Sequence, residues 1–486
     1  MKKIGKFLML LILTAAFLGC NSQLSLESES QISFNEERKE QLARYAITGD
    51  YSLTEDEVSE NLISFLSLQE NSSRSAISND YTIKKINTES LYLDSYIAEE
   101  NRSPVVEKNN NIDFYLYEIS NNSNSSSGYA VLSNDRRIGE IISIIEEDEF
   151  VSDISDFPFM QLFCTELEEY IYETAEIWNS LTEEDLNNAR SAYADIASSG
   201  SYRFSNWVYN SGNIDNILKT KWKQSTPYNE GIKAIKGKNY LTGCGAVAVA
   251  QVMAFHEFPE NCSSVITKEL NKKWDEASSW DGKYNWDAMK ANPYAGSLTS
   301  DGKMMVGAFL YHVAEGIKSS YGTEETSSYS HNYSSFLKSE GYKADQEQAY
   351  SFKVIENSID NKCPVIISGA SIKNSKTHKF LWWTWETVES YKGGHAWVID
   401  GYCNMTCTAT NKNNENDIQT FSADYVHCNL GWSGSGNGYY ISNVFSVNRG
   451  PVASDYRVEK LNRSSYGEKK YYQFLLEIIP HIKPSK

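Results

Sequence analysis

The sequence predicts an α+β protein in which a large back unit follows a smaller mixed front unit. In the back unit, helical patterns such as "GCGAVAVAQVM" and "KMMVGAFLYHVAEGI" come first. Short strand patterns such as "CPVIISGA", "HAWVIDGYC", "FSADYVHCNLGW" and "GYYIS" come afterwards, separated by turns rich in Gly and Asn. Helices followed by successive strands favour an antiparallel sheet packed on a helical part.

Charge also divides the chain. Residues 21–200 hold 36 acidic and 11 basic side chains, a net charge of −25, whereas residues 201–486 carry a net charge of +3. The whole chain of 486 residues is 41% hydrophobic, with a formal net charge of −19. That length is enough for two or three domains. The negative charge argues against nucleic acid as a partner, because phosphate backbones favour Lys and Arg.

The first residues predict a targeting segment. Three lysines, at positions 2, 3 and 6, precede an apolar run over residues 7–18 that is short for a membrane span. The run ends in Gly19-Cys20 and resembles a bacterial lipobox, which implies a signal peptide over 1–19 and lipidation of Cys20. The alternative is an ordinary secretory signal that ends near a chance cysteine. Either way, we expect the protein to be exported.

The front unit, residues 20–200, is itself mixed. Helical patterns are predicted over 36–46 and 55–68, and again over 159–176 and 182–197, the last of these with a capping signature in "TEEDLNNA". Between them, "DFYLYEIS", "GYAVLSND" and "IGEIISIIE" predict three strands of a small sheet. The tract over 197–213 is rich in Ser, Gly and Asn. We expect it to be an exposed linker, with proteolytic cleavage between about Ala197 and Ile217.

Cys244 is the candidate nucleophile. Thr242 can cap a helix and Gly243 permits a tight turn, so the thiol is expected in the first helical turn. Unpaired backbone N–H groups there carry partial positive charge, which lowers a thiol pKa and can also stabilise an oxyanion. Taken alone, a cysteine is more often a buried structural residue.

Three further segments supply partners for that thiol. His395 follows two glycines at the start of an apolar strand, a setting suited to a fixed general base. Asn429 can accept from the imidazole N–H and hold its tautomer, and Trp432 can shield the pair from water. Gln224, twenty residues before the cysteine, carries an amide suited to an oxyanion. We expect His312 and His427 to be ordinary core histidines.

These motifs together resemble the streptopain family of papain-like cysteine peptidases. The match rests on "Q-x-x-PYN", "TGCGAVAVAQVM", "GGHAWVIDGY" and "N-L-G-W-S-G…GYY", and covers most of residues 205–481. His395 follows Cys244 by 151 residues, close to the roughly 130–150 of papain-type enzymes. The resemblance implies an exported zymogen, with a propeptide over 20–200 that inhibits a catalytic domain over 201–486.

In that resemblance, Cys244 is the nucleophile, His395 the base and Gln224 an oxyanion donor. Asn429 and Trp432 match the family's segment behind the histidine. Peptides and proteins would be the substrates and the chain's own propeptide an intramolecular inhibitor. No cofactor or metal is expected, because Cys403-x3-Cys407 lacks a second pair of ligands at a fixed spacing.

The sequence departs from the family pattern at three places. Leu430 stands where the family usually has Trp, and Gly245 follows the nucleophile where Val is frequent. An aromatic stretch over 379–390, "KFLWWTWETVES", precedes the histidine motif and predicts either a substrate-facing flap or a packed hairpin. Some of the remaining cysteines can form disulfides outside the cytoplasm, with no connectivity readable from the sequence: Cys164, Cys262, Cys363, Cys403, Cys407 and Cys428.

The function expected from these residues is that of an exported, lipid-anchored cysteine endopeptidase made as a zymogen. One alternative is a surface lipoprotein that uses a peptidase-like fold for binding or adhesion, with weak or no catalysis. Leu430 keeps that alternative open. The other is an acyltransferase that uses the same Cys-His pair. We expect docking of the front unit to rest on apolar contacts, with "DFPFM", 156–160, as one candidate contact.

Overall fold

The structure is a computed structural model of the chain. It describes residues 38–49, 51–72, 81–97, 102–106, 111–121, 127–145, 148–155, 157–192, 202–205, 208–213, 216–291, 298–323, 325–372, 377–386, 392–446 and 476–485. The expected signal peptide and Cys20 lie outside these residues. Within the described ranges, no helix is both long enough and apolar enough to cross a bilayer.

The front unit has the mixed composition that the sequence predicts. Its helices are α1 over 38–48, α2 (Glu55–Ser72), α3 (Pro158–Ser180) and α4 (Glu183–Ala192), and its strands are β1 (Tyr81–Tyr92), β2 (Asn111–Asn121), β3 (Ser127–Ser133) and β4 (Ile141–Ile145). The predicted cap of α4 is confirmed. The Asp185 carboxylate accepts from the Thr182 backbone N–H at 2.8 Å, and the Thr182 hydroxyl oxygen accepts from the Asp185 N–H at 3.2 Å.

The back unit places most of its helices before its main strands. The helices are α5 (Glu230–Lys236), α6 (Cys244–His256), α7 (Ser264–Lys273), α8 (Trp286–Lys290), α9 (Ser300–Gly316), α10 (His331–Ser339) and α11 (Phe352–Asp360). The strands are β5 (Tyr202–Phe204), β6 (Val208–Asn213), β7 (Tyr342–Lys343), β8 (Gln348–Ala349), β9 (Val365–Ile372), β10 (Thr377–Phe380), β11 (Trp383–Glu386), β12 (Lys392–Asn411), β13 (Asn414–Asn429), β14 (Gly438–Ile441), β15 (Glu477–Ile479) and β16 (Lys483–Pro484). The predicted α+β class is confirmed.

One antiparallel sheet runs through both units, in the order β1-β2-β3-β4-β14-β13-β12-β9-β15-β8. Its two parts join where β4 pairs with β14, with Gly438 opposite Ile145 and Tyr440 opposite Ser143. The three strands predicted for the front unit are therefore present, but they do not form a separate small sheet. Gly438 permits this junction, because a side chain there would overlap the Ile144 carbonyl of the neighbouring strand.

The tract expected to be an exposed linker is partly strand. β5 and β6 both pair with the long strand β12, with Phe204 opposite Ala409 and Gly212 opposite Cys403. The expectation of a linker throughout 197–213 is thus wrong for 202–204 and 208–213, since backbone pairing with β12 satisfies their hydrogen bonds. Residues 197–201 and 206–207 of the tract lie outside the described part of the chain.

Two hydrophobic cores pack the helices against the sheet. One lies wholly within the back unit, where α6 and α9 pack beside the inner sheet, and includes Val249, Phe309 and Val398, each fully buried. The other is shared: side chains of α1–α3 and β2–β4 pack against β12–β14. Tyr45 of α1 stacks on Phe421 of β13 with ring centroids 5.2 Å apart. The seven cysteines in the described residues are all free thiols.

Candidate active site

Cys244 is the first residue of α6, as the sequence predicts. The cap is Gly243 and not Thr242, and among the described residues no side chain caps this helix. Gly243 has a φ of 88°, and a side chain there would also crowd the Thr326 carbonyl oxygen at 2.9 Å. Only glycine meets both conditions. Small buried residues continue along the helix, including Ala246 and Ala250, so neighbouring elements approach it closely.

The thiol of Cys244 is half-buried against the strand that carries His395. Burial raises its pKa above the ordinary value, and backbone N–H groups of Ala396 and Gly245 oppose that rise by hydrogen bonding to the sulfur. The expected lowering of the thiol pKa by the helix terminus is therefore outweighed by desolvation in this conformation. In this state the protonated thiol is favoured.

Gln224 lies beside the turn that leads into α6. Its carbonyl oxygen accepts from the backbone N–H of Thr242 at 3.1 Å, two residues before the cysteine. This bond holds the segment that carries the amide next to the helix N-terminus, as the oxyanion prediction requires. The structure therefore brings Gln224 and Cys244 into one region, and the role of the amide stays a prediction.

His395 lies near the start of β12, opposite Gly369 of β9, and is buried. Its Nε2 lies 3.1 Å from the carbonyl oxygen of Leu430, so Nε2 carries the proton and donates, and Nδ1 is left as the acceptor. Burial lowers the pKa of His395 to about 4, although the bond to that carbonyl opposes the shift. The imidazole is therefore neutral at physiological pH in this state.

Two indole rings flank the imidazole. Trp397 stacks on it with ring centroids 5.8 Å apart and an angle of 12°, and Trp432 meets it edge-on at 6.2 Å. The structure thus brings Trp432 to His395, as predicted. Trp397 was not predicted, although its position two residues along the same strand places it on the same face as the histidine. Together these rings shield the imidazole from water, although Leu430 stands where the family usually has a Trp.

Asn429 bonds to the helix and a loop rather than to the histidine. Its side-chain oxygen accepts from Nε2 of Gln251 at 3.0 Å, and its side-chain nitrogen donates to the Thr220 carbonyl at 2.8 Å. Gln251 lies on α6 and is fully buried, so this network ties the helix to the end of β13. The carbonyl of Leu430 occupies the orienting place that we predicted for the Asn429 amide.

Residues of the front unit cover the histidine. Phe159, at the start of α3, meets the His395 ring with centroids 6.3 Å apart, and Phe157 stacks on Trp432 at 5.5 Å. Asp148 accepts from the backbone N–H of Gly436 at 2.8 Å. The predicted contact over 156–160 is confirmed for its described residues, which insert aromatic rings beside the candidate base.

Position 245, directly after the candidate nucleophile, requires glycine for a steric reason. A side chain at Gly245 would overlap the hydroxyl groups of Tyr333 and Ser328, which hydrogen bond to each other at 2.9 Å. Glycine stands here instead of the family's frequent Val because Tyr333 of α10 fills the space beside the start of α6.

Among the described residues, no group of three or more His, Cys, Asp and Glu side chains is placed to hold a metal ion.

Two solved structures of Prevotella intermedia proteins are similar to this chain. One, a fragment of prointerpain A, has a TM-score of 0.43 and 18% identity, and the match covers 75% of this chain and 95% of that chain. The other, active wild-type interpain A cysteine protease, has a TM-score of 0.34 and 20% identity, over 56% of this chain and 95% of that chain.

Sequence comparisons match part of the chain to a known family. Residues 222–440 match the model of the peptidase C10 family. Streptopain from Streptococcus pyogenes serotype M28 is 24% identical over 353 residues, which cover 68% of this chain and 73% of the relative, and streptopain from serotype M1 matches to the same extent. The matched region contains Cys244 and His395. Residues 222–440 are therefore a peptidase C10 region, and the chain is a cysteine-type endopeptidase similar to the papain-like streptopains.

Proposed function

We propose that the chain is an exported, lipid-anchored cysteine endopeptidase made as a zymogen, with a propeptide over 20–200 and a catalytic domain over 201–486. The observation that carries this proposal is the contact of Phe159 with His395. It joins the front unit to the candidate base, whose ring nitrogen is turned toward the Leu430 carbonyl. Such a contact accounts for an inactive state without any change in the catalytic residues themselves.

In the active state, Nδ1 of His395 takes the proton of the Cys244 thiol, because Nε2 is already bonded to the Leu430 carbonyl. The thiolate attacks the peptide carbonyl carbon, and the resulting oxyanion lies at the N-terminus of α6. There the backbone N–H of Cys244 and the Gln224 amide stabilise it. The imidazolium then protonates the leaving amine, and water activated by the same base hydrolyses the thioester.

Casein hydrolysis by the processed chain, from which the front unit has been cleaved and removed, tests this function. We expect hydrolysis that an E-64-type epoxide abolishes, with one epoxide bound per chain. A processed chain that leaves casein intact and takes up no epoxide would overturn the proposal in favour of a binding protein. Product analysis with an added amine separates hydrolysis from acyl transfer, because only a transferase would give the amide as its main product.

The zymogen proposal predicts a defined pattern of cleavage. Full-length chain carrying Cys244→Ala, incubated with a catalytic amount of active wild-type enzyme, should acquire new N-termini between about Ala197 and Ile217. The separated front unit should then inhibit the processed enzyme, because its α3 carries the residues that cover His395. Mass spectrometry and an inhibition titration measure the two effects. Full activity of an uncut wild-type chain would contradict the proposal.

Lipid anchoring gives a separate prediction. Cys20→Ser should abolish labelling by a fatty-acid probe and move the protein from the detergent phase to the aqueous phase, because it removes the thiol to be acylated. Cys164→Ser is the matched control, since that thiol is buried inside the front unit. A protein whose phase partitioning is the same with and without Cys20 would refute the anchor and leave an ordinary secretory signal.

A further inference from the structure

An insert separates two strands that are already paired. β9 and β12 are antiparallel neighbours from Lys392 opposite Ile372 to Ile399 opposite Val365. Antiparallel neighbours need only a tight turn. The chain instead inserts residues 373–391, within which β10 and β11 form a two-stranded sheet of their own. Sheet closure does not require this insert hairpin, so its presence beside the candidate site needs another explanation.

The outer edge of the insert hairpin holds a segment of the front unit as an added strand. The backbone N–H of Thr384 donates to the Ser152 carbonyl at 2.8 Å, and the Thr384 carbonyl accepts from the Ile154 N–H at 2.9 Å. Asp153 lies opposite Thr384 in a parallel bridge. Both bonds are made by backbone groups, which every peptide carries. The edge therefore recognises extended chain rather than particular side chains.

The aromatic side chains of the insert hairpin are covered in this state. Trp383 is fully buried and lies 6.1 Å from Phe150 of the front unit, measured between ring centroids. The indole N–H groups of Trp382 and Trp383 are buried and find no acceptor among the described residues. Each such orphan donor costs about 1–3 kcal/mol. The covered arrangement therefore leaves these polar groups unsatisfied.

The added strand leads directly to the candidate site. Three residues after Ile154, Phe157 stacks on Trp432, and two residues later Phe159 meets His395. Chain spans at most about 3.3–3.6 Å per residue, so this stretch covers no more than roughly 18 Å. A substrate that extends about five residues beyond the scissile bond is therefore long enough to reach Thr384.

We propose that, once the front unit has left, the Thr384 edge of the insert hairpin binds an extended segment of protein substrate as an added strand. The occupant is an extended stretch of substrate polypeptide, running parallel to β11 as Ser152–Ile154 does in the zymogen. The hairpin thus selects long, unfolded chains over short peptides. This inference rests on the proposed endopeptidase function and names a substrate class for the same site.

Thr384→Pro tests the inference. Thr384 faces Lys379 across the hairpin, and its N–H and carbonyl point away from β10, toward the added strand. Proline therefore removes the donor for the incoming chain and spares the hairpin's own bonds. On the processed enzyme, we expect a roughly tenfold higher KM for casein, which corresponds to loss of one backbone bond and some strand contacts. Hydrolysis of a fluorogenic tripeptide should be unchanged.

Thr384→Ala is the matched control, because it keeps the N–H, and both substrates should be cut as by wild type. An unchanged KM for casein in Thr384→Pro would overturn the inference. Equal losses on casein and tripeptide would also overturn it, because they indicate damage to the catalytic site.

A binding measurement separates this inference from the proposed function. The probe is a fluorescein-labelled peptide of residues 150–155, "FVSDIS", titrated to millimolar concentration against the processed chain and followed by anisotropy. We expect saturable binding to wild type and Thr384→Ala, and at least tenfold weaker binding to Thr384→Pro. That result supports strand binding at the Thr384 edge even if casein is not hydrolysed. Absence of binding to wild type, or equal binding to all three chains, would refute it.

Discussion

Cys244→Ala and His395→Ala are each expected to lower turnover of casein by the processed chain at least about 10³-fold. In the proposed mechanism, thiolate and imidazole act as one unit: alanine at 244 would remove the attacking atom, and alanine at 395 would remove the base that ionises it. The structure places the thiol against the N–H of Ala396, the neighbour of His395, so the two groups need only a local rearrangement to meet. Initial rates at saturating casein measure the effect.

Asn429→Ala provides the control for that prediction. Asn429 bonds to Gln251 and Thr220 rather than to the histidine, so its loss should cost less turnover than either catalytic variant. It should instead lower the melting temperature, because two buried partners lose their bonds. Near-wild-type proteolysis by Cys244→Ala would show that the nucleophile lies elsewhere. If Asn429→Ala lowered turnover as much as His395→Ala does, the asparagine rather than the Leu430 carbonyl would orient the histidine.

The sequence predicted the parts of the site that depend on local chemistry. A cysteine between two glycines at the start of a small-residue helix is readable as a pattern, and α6 begins at Cys244. The strand that carries His395 is likewise readable from two glycines followed by an apolar run. The segment over 156–160 is likewise readable as a docking contact, because its aromatic residues offer apolar surface to a nearly neutral partner.

Features that depend on distant pairing could not be predicted in this way. The join of β4 to β14 is a register between strands almost 300 residues apart, and no periodicity encodes it. The same holds for Asn429: its type suggested an orienting group, but the direction of its amide depends on Gln251, which lies on another element. The burial that raises the thiol pKa of Cys244 arises from the packed fold and outweighs the helix terminus that the sequence shows.

Phe159→Ala is expected to open the zymogen. The ring is almost fully buried, with centroids 5.0 Å from both Trp397 and Tyr440 and 6.3 Å from His395. Truncating a buried Phe costs about 3–5 kcal/mol, which corresponds to a shift of about 10²–10³-fold or more toward release of the front unit. Front-unit release from nicked, full-length Cys244→Ala chain, measured by size-exclusion chromatography, reports this shift.

Phe163→Ala separates loss of packing from control of the histidine. Phe163 is also buried on α3 and contacts Tyr440 and Phe445, yet it makes no ring contact with His395 among the described pairs. Both variants should loosen the front unit. Only Phe159→Ala should hydrate the imidazole in the closed chain and raise the His395 pKa from about 4 toward its ordinary value of about 6.5, as followed by NMR titration.

The pH dependence of release follows from the depressed pKa of His395. With the front unit docked, His395 binds a proton less readily than after the front unit has left. The contribution of His395 to the free energy of docking is therefore fully present above about pH 6.5. It is lost as the pH falls toward 4. Front-unit release from nicked chain that carries only Cys244→Ala should therefore rise by up to about tenfold per pH unit as the pH falls across that window. Phe159→Ala should flatten this slope and Phe163→Ala should retain it; equal slopes in the two variants would show that Phe159 does not control the histidine.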